Sequence, residues 1–148
     1  MQILAIHMDD LEAIAALMRD VSEVDVVPHF NEQGKMAYRA RVLSDIQKIF
    51  DPASFNTVKL ISDGVLVGFA ALREGNYLTH LFVAKEVQGK GAGKLLLDHV
   101  LKGTDAKEIS LRSSINAVSF YQAFGFEATD TESDFNGIRF VPMRLIKG

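Results

Sequence analysis

The sequence has 148 residues, of which 48% are hydrophobic and 24% charged, and its formal net charge is −3. This composition is typical of a soluble globular protein with one domain over residues 1–148, and the lack of a basic run disfavours binding to nucleic acid or to an anionic membrane. The absence of cysteine excludes disulfides and thiolate chemistry, and without an apolar window of ~18 residues or a basic leader we expect a cytoplasmic protein that does not enter a membrane.

The N-terminal third predicts one strand and two helices. A short apolar run that ends at Ile6 predicts a strand, and apolar residues at helical spacing from Leu11 to Val21 predict a helix. Proline, asparagine and glycine predict a loop over Val27–Gly34. A second helix follows and ends at Asp51-Pro52. Its predicted apolar stripe consists of Val42, Leu43, Ile46, Ile49 and Phe50.

The next segment predicts strands joined by tight turns. The strands are Thr57–Ser62, Val65–Leu72 and Tyr77–Val83, with turns at Asp63-Gly64 and Glu74-Gly75-Asn76. The third strand is apolar on both faces, so we expect it at the centre of the sheet.

A glycine-rich loop comes next, and helices and strands then alternate. The predicted elements are a helix over Leu95–Leu101 that stops at Gly103, a strand at Glu108–Arg112, a short helix at Ala117–Phe124, and an antiparallel pair at Phe126–Ala128 and Gly137–Leu145. This order predicts an α/β fold in which helices flank a mixed, mostly antiparallel central sheet.

The loop Gln88–Gly93 has the character of an anion-binding loop. Its glycines leave backbone N–H groups uncovered, and the helix that begins there adds the positive end of its dipole. Lys90 and Lys94 add positive charge. The alternative is a plain strand-to-helix turn that is rich in glycine.

Two common phosphate-loop patterns do not fit this segment. A P-loop needs Ser or Thr after Gly-Lys, but Gly93-Lys94 is followed by Leu95, which leaves no hydroxyl for magnesium. The dinucleotide fingerprint needs a third glycine where this chain has Lys94. The loop therefore disfavours both nucleoside triphosphate hydrolysis and dinucleotide binding.

A third pattern does fit. Gln88, Gly91 and Gly93 match the Gln/Arg-x-x-Gly-x-Gly/Ala signature of the GNAT (Gcn5-related) N-acetyltransferase superfamily, which this sequence resembles. The segment Asn116–Phe126 resembles a second motif of that family, with Asn, Ala, Phe-Tyr and Gly-Phe in order. The resemblance is strongest from Leu78 to Phe126, and it implies a GNAT-like fold with acetyl-CoA as co-substrate and no metal.

The resemblance also implies a role for each matched position. The loop would hold the pyrophosphate of coenzyme A, and backbone groups around a bulge in the preceding strand would bind the pantetheine arm and face the thioester oxygen. The implied cofactor-binding residues are Leu81, Phe82, Val83, Gln88, Gly89, Lys90, Gly91, Ala92, Gly93, Lys94 and Asn116. Tyr121 would be the general acid that protonates the departing thiolate. Taken without the resemblance, Tyr121 reads as a core aromatic residue and Asn116 as a helix N-cap.

The general base is less defined. Some family members carry Glu where this chain has Tyr77. Strand alternation places Tyr77 and Thr79 on one face and His80 on the other, unless a bulge changes the parity. His80 is a candidate base, with a hydrogen-bonded strand histidine as the alternative, and Glu74 and His29 are weaker candidates. A water relay, which needs no dedicated residue, is the favoured hypothesis.

The acceptor is an amine of undefined class. The family places its groove near Val24–Lys35 and Asp134–Arg139, where Asp25, Glu32 and Asp134 either attract a cationic amine or are solvated loop carboxylates. The implied function is acetyl transfer to a primary amine of a small molecule or peptide, by direct attack in a ternary complex. The alternatives are a non-catalytic acyl-CoA-binding or regulatory module and another nucleotide-phosphate binder. Dimers are common in the family, so a homodimer is compatible with this hypothesis.

Overall fold

The computed structural model of the chain describes residues 1–147, and it contains an eight-stranded sheet with helices on both faces. The strands are β1 (Gln2–Ala5), β2 (Phe55–Ser62), β3 (Val65–Arg73), β4 (Tyr77–Val83), β5 (Glu108–Ser113), β6 (Glu127–Ala128), β7 (Ser133–Phe135) and β8 (Ile138–Ile146). The helices are α1 (Leu11–Asp25), α2 (Glu32–Lys48), α3 (Ala92–Lys102) and α4 (Val118–Ala123).

The sheet order is β1-β2-β3-β4-β5-β8-β6, and β7 forms a hairpin with β8. The β4–β5 pair is parallel, whereas the other strand pairs of the described chain are antiparallel. The predicted α/β fold, with a mixed and mostly antiparallel sheet, is therefore confirmed, and β4 lies at its centre as expected. None of the helices formed by residues 1–147 is both long and apolar enough to cross a membrane.

Two apolar clusters hold the helices on the sheet. On one face α1 and α2 pack on β3 through the fully buried Ile14, Ile46 and Phe69. On the other face α3 packs through Leu96 and Leu97. Because β3 and β4 are covered on both faces, their near-continuous apolar sequence has a structural reason. Leu43 departs from the predicted stripe of α2, since its side chain is exposed.

Helix α2 begins at Glu32, within the predicted loop over Val27–Gly34. The Asn31 side chain caps this helix, because its Oδ1 accepts a hydrogen bond of 2.8 Å from the N–H of Gly34. The loop prediction therefore holds for the short 3-10 turn over Val27–His29 and is wrong for the first turn of α2.

Gly34 is buried inside α2 because the backbone of the β7–β8 turn lies against it. A Cβ atom built on Gly34 would overlap the carbonyl oxygen of Gly137, and one built on Gly137 would overlap Oδ1 of Asn31. Arg139 strengthens the same junction, since its Nη1 donates to the His29 carbonyl over 3.1 Å. The start of α2 and the β7–β8 hairpin are thereby fixed to each other.

We expect Gly34→Ala to destabilise the protein by ~1–3 kcal/mol, because the new methyl group must displace backbone. A loss of stability would distinguish this contact from the effect of helix propensity, since Gly→Ala inside a helix otherwise stabilises a protein by up to ~1 kcal/mol. Urea unfolding of the two proteins measures the difference. The exposed Ala40→Gly variant of the same helix gives the propensity effect alone. An increase in stability for Gly34→Ala would show that the two backbones do not meet as described.

Candidate active site

The central feature of the site is a gap between β4 and β5. These strands pair only at Tyr77↔Ser110 and Leu78↔Leu111, and then they separate. The other edge of β4 stays paired with β3 as far as Val83. The N–H of Ala84 bonds to β3 over 2.8 Å, so by alternation the N–H groups of Leu81 and Val83 point into the gap. An extended ligand can therefore find backbone donors there.

A β-bulge at Thr79 decides which side chains of β4 share a face. The register shifts so that His80 lies opposite Ala71 while Leu78 lies opposite the next residue, Leu72. The extra residue brings Tyr77 and His80 to the same face, toward α1 and α2, where alternation alone would separate them. The bulge lies just before Leu81–Val83, the segment where the resemblance implied it.

The glycine loop forms an open cradle at one end of the gap. Gly89 and Gly91 have φ values of +80° and +83°, and a Cβ built on either meets no atom within 4 Å. The first helical hydrogen bond of α3 runs from Leu95 N–H to Gly91 over 2.9 Å. The N–H groups of the first turn of α3 therefore have no helical partner and are available to an anion.

Gln88 fixes the loop to the end of β4 and to α1. Its Nε2 donates to the Val83 carbonyl over 3.0 Å and to Asp25 over 3.3 Å. Lys85 also pairs with Asp25, over 2.9 Å. The Asp25 carboxylate is thus used inside the protein, and it does not remain free to attract an acceptor amine.

An open cleft of about 1150 Å³ joins the loop, the gap and the face of α2. Every predicted cofactor-binding residue except Lys90 lines it, and so do Tyr121 and His80. The positive φ values of Gly89 and Gly91 place Lys90 at the exposed tip of the loop, which explains why its side chain does not contribute to the wall.

Tyr121 is buried between two aromatic rings, with centroid distances of 5.2 Å to Phe120 and 5.7 Å to Phe126. Its ring belongs to the core, as the sequence alone suggests, but the residue also lines the cleft. Burial raises the pKa of Tyr121 above its usual value, so the phenol keeps its proton throughout the neutral range. Gly93 lies 3.3 Å from Phe120, measured from a built Cβ, which brings the start of α3 against this cluster.

Asn116 is not the N-cap of α4. It lies in a 3-10 turn over Ile115–Ala117, and Ala117 occupies the capping position without a side-chain bond. The Oδ1 atom of Asn116 accepts a hydrogen bond of 3.1 Å from Ser114 Oγ. The amide side chain is thereby oriented while it lines the cleft.

His80 is buried, and burial lowers its pKa to about 4. Its Nδ1 lies 2.8 Å from Thr79 Oγ1, whose hydroxyl donates to the Ala71 carbonyl over 3.3 Å. With the hydroxyl proton directed to that carbonyl, Nδ1 carries the ring proton and donates to Oγ1, so this tautomer follows from the orientation of the Thr79 hydroxyl. The neutral ring therefore presents an unprotonated Nε2.

Stability should fall as pH decreases, because the unfolded state binds a proton at His80 below its ordinary pKa of ~6.5 whereas the folded state does so only below about 4. We expect this residue to contribute a loss of ~2 kcal/mol in unfolding free energy between pH 7 and pH 5. Urea unfolding at both values for the wild type and His80→Gln measures it. Carboxylates titrate in both proteins and contribute equally to the change with pH. An equal decrease in unfolding free energy from pH 7 to pH 5 in the two proteins would therefore contradict the prediction.

The other sequence candidates lie elsewhere. Glu74 and His29 do not line the cleft. Glu32 pairs with Lys35 over 3.2 Å, and Asp134 accepts the Gly137 N–H over 2.7 Å. These carboxylates therefore have structural partners. Five charged residues that sequence reasoning missed do line the cleft, namely Arg41, Asp45, Lys48, Arg73 and Arg112. They come from three separate segments, and no local pattern marks them.

Comparison with protein families gives one match over most of the chain. The model of an acetyltransferase (GNAT) domain matches residues 26–147. The peptidyl-lysine N-acetyltransferase YiaC of Escherichia coli is 35% identical over 69 residues, which cover 46% of this chain and 47% of that protein. The peptidyl-lysine N-acetyltransferase YjaB of Salmonella typhimurium is 32% identical over 94 residues, 63% of each chain. The spermine/spermidine N(1)-acetyltransferase of Bacillus subtilis is 34% identical over 101 residues, 56% of this chain and 66% of that protein.

The chain thus spans about half to two thirds of the length of these curated relatives. Among solved structures, a GCN5-related N-acetyltransferase from Rhodopseudomonas palustris superposes with a TM-score of 0.84 at 22% identity, covering 98% of this chain and 94% of that one. A PaiA N-acetyltransferase from Thermoplasma acidophilum, in complex with coenzyme A, gives 0.75 at 21% identity, covering 98% of both chains. The fold and the family match agree with each other, and the chain belongs to the GNAT acetyltransferase family.

Proposed function

We propose that this protein transfers an acetyl group from acetyl-CoA to a primary amine, with residues 1–148 acting as one domain. The observation that carries the proposal is that one cleft contains the glycine cradle, the free edge of β4 and the side chain of Tyr121. An anion site, a row of backbone donors and a proton donor are the parts that acetyl transfer from a thioester needs.

The residues present fit coenzyme A. Its phosphates would take the open space beside Gly89 and Gly91, where the N–H groups at the start of α3 and the Lys94 side chain can bind them. Its amide-bearing arm would bind the N–H groups of Leu81 and Val83 in the gap. The Asn116 amide group would add a further hydrogen bond.

Acetyl-CoA, when bound, supplies a thioester carbon that an amine can attack. Backbone N–H groups of β4 would stabilise the negative charge that develops on the carbonyl oxygen. Tyr121 would give its proton to the sulfur as the C–S bond breaks, and it suits this task because burial keeps it protonated. The amine loses a proton as the C–N bond forms. The low pKa of His80 makes it a poor base, so we propose a water relay, with Nε2 as a hydrogen-bond acceptor that positions the water or the amine.

Two measurements test the proposal. Isothermal titration should give binding of coenzyme A and much weaker binding of ATP and NAD. Thiol release from acetyl-CoA should then depend on an amine when a library of amines is screened, with the acetylated product identified by mass spectrometry. Binding of coenzyme A without transfer to any amine would instead favour a non-catalytic module, and tighter binding of ATP or NAD would contradict the coenzyme A site.

A further inference from the structure

The face of the sheet that carries His80 also carries two arginines near the end of the gap where β4 and β5 are still paired. Arg73 ends β3 directly opposite Tyr77. Arg112 lies on β5 one residue beyond the last β4–β5 pair, and by alternation it shares this face. Both line the cleft on the side of α2, away from the glycine cradle. They therefore border the part of the cleft that an acceptor would use.

Both guanidinium groups are held in place by aromatic rings. The Arg73 guanidinium carbon lies 4.7 Å from the centroid of Tyr77, and that of Arg112 lies 4.6 Å from the centroid of Phe140. No carboxylate of residues 1–147 lies within ion-pair distance of either. Stacking restricts the side chains yet leaves their N–H donors free for a planar anion.

Helix α2 adds to the positive charge of this region. Arg41 and Lys48 approach the single carboxylate of Asp45 at 4.0 and 3.8 Å, distances at the limit of an ion pair. Two other charged residues line this part of the cleft, and each has a partner of opposite charge. Asp25 pairs with Lys85, and Arg139 pairs with Glu132. The acceptor side of the cleft thus presents four cations, Arg41, Lys48, Arg73 and Arg112, against the carboxylate of Asp45.

We propose that the acceptor is an amine that also bears a carboxylate, and that Arg73 and Arg112 bind this carboxylate. The inference rests on the proposed acetyl transfer and names its substrate class. A polyamine would place further positive charge against four cations, which is unfavourable in a partly enclosed cleft. A carboxylate instead accepts paired hydrogen bonds from a pre-organised guanidinium. It would leave the amine of the same molecule to reach the gap beside His80.

Matched acceptor pairs test the proposal. Lysine against cadaverine and tyrosine against tyramine differ by a carboxylate alone, and spermine represents a polycation. We expect kcat/KM to be at least about tenfold higher for the amino acid of each pair. Two lysine peptides, flanked by Glu or by Arg, distinguish a free amino acid from an acidic peptide as the source of the carboxylate. Equal or better use of cadaverine, tyramine or spermine, together with no preference between the peptides, would overturn the proposal.

Variants locate the carboxylate. Arg73→Gln and Arg112→Gln should each raise KM for the preferred acceptor about tenfold or more with little change in kcat, and Arg73→Lys should restore part of the affinity. Arg19→Gln, an exposed residue of α1 outside the cleft, makes the same charge change as a control. A KM for the acceptor that does not move, or a rise confined to the KM for acetyl-CoA, would overturn the assignment. Thermal melting verifies that each variant folds.

Calorimetry separates this inference from the proposed function. Lysine and cadaverine are titrated into protein saturated with coenzyme A, so that binding is read without turnover. Tighter binding of lysine supports the carboxylate site even if no acetyl transfer occurs, in which case the proposed reaction fails and the site stands. Equal or tighter binding of cadaverine, together with equal binding of the Glu-flanked and Arg-flanked peptides, overturns the inference even if acetyl transfer is found.

Discussion

Replacement of Tyr121 by Phe is expected to lower kcat by ~10²–10⁴-fold while the affinity for coenzyme A stays nearly unchanged. The variant keeps the ring that packs between Phe120 and Phe126 and removes the hydroxyl, the one group that would protonate the departing sulfur. Steady-state thiol release with a saturating amine measures kcat, and isothermal titration measures affinity for coenzyme A.

Tyr38→Phe is the matched control for this prediction. Tyr38 is partly buried and also lines the cleft, but its hydroxyl bonds to Ser22 Oγ over 2.7 Å. Loss of the Tyr38 hydroxyl should therefore lower the free energy of unfolding by ~1 kcal/mol and leave kcat within a few-fold of the wild type. Equal effects of the two variants on kcat, or a normal kcat for Tyr121→Phe, would mean that the phenol is not the acid.

Replacement of Gly91 by Ala is expected to weaken coenzyme A binding by ~10–100-fold. The residue has φ of +83°, which strains any side-chain-bearing residue. Relief of the strain would turn the N–H groups of the loop and of the start of α3 away from the phosphates, and each hydrogen bond to a charged group contributes ~1.5–3 kcal/mol. Isothermal titration with coenzyme A measures the loss.

Gly64→Ala provides a control with the same backbone strain. Gly64 sits in the β2–β3 turn with φ of +78°, and like Gly91 it has open space around a built Cβ. The two variants should therefore lose similar stability, by ~1 kcal/mol, while the Gly64 variant binds coenzyme A as the wild type does. A similar loss of affinity in both would attribute the effect to general destabilisation rather than to the cradle.

Most of the fold could be predicted because its signals are local. Asp63-Gly64 and the turn at Glu74-Gly75 mark hairpins that the structure contains, and helical spacing before Gly103 gives α3. The order of strands and helices then follows from these boundaries. The glycine loop and Tyr121 were predicted from motifs in single stretches of chain, and the structure brings Tyr121 and every residue of the loop except Lys90 into one cleft.

Two local features were missed although a signal was present. Asn136-Gly137 is a strong hairpin dipeptide, but β7 has three residues, too few for a visible alternation. Asn31 is a good N-cap, yet Gly34 three residues later read as a loop residue. A glycine inside a helix is explained by the backbone packed against it, and the sequence does not reveal such a contact.

The remaining features depend on residues that are distant in the chain. No residue type marks the bulge at Thr79, which the family resemblance alone implied, but this bulge decides that Tyr77 and His80 share a face. The stacking of Arg73 on Tyr77 and of Arg112 on Phe140 depends on strand register across the sheet. Charge on the acceptor side therefore emerges from tertiary structure, whereas the net charge of the whole chain is negative.

The separation of β4 from β5 leaves a seam in the middle of the sheet, held by two residue pairs. An extended ligand that carries amides would occupy the place of the missing neighbour, in the manner of a strand added to a sheet edge. Its binding free energy would then contribute to the cohesion of the two halves, so that resistance to heat would rise with the concentration of free ligand. The proposed co-substrate would then stabilise the fold as well as enter the reaction.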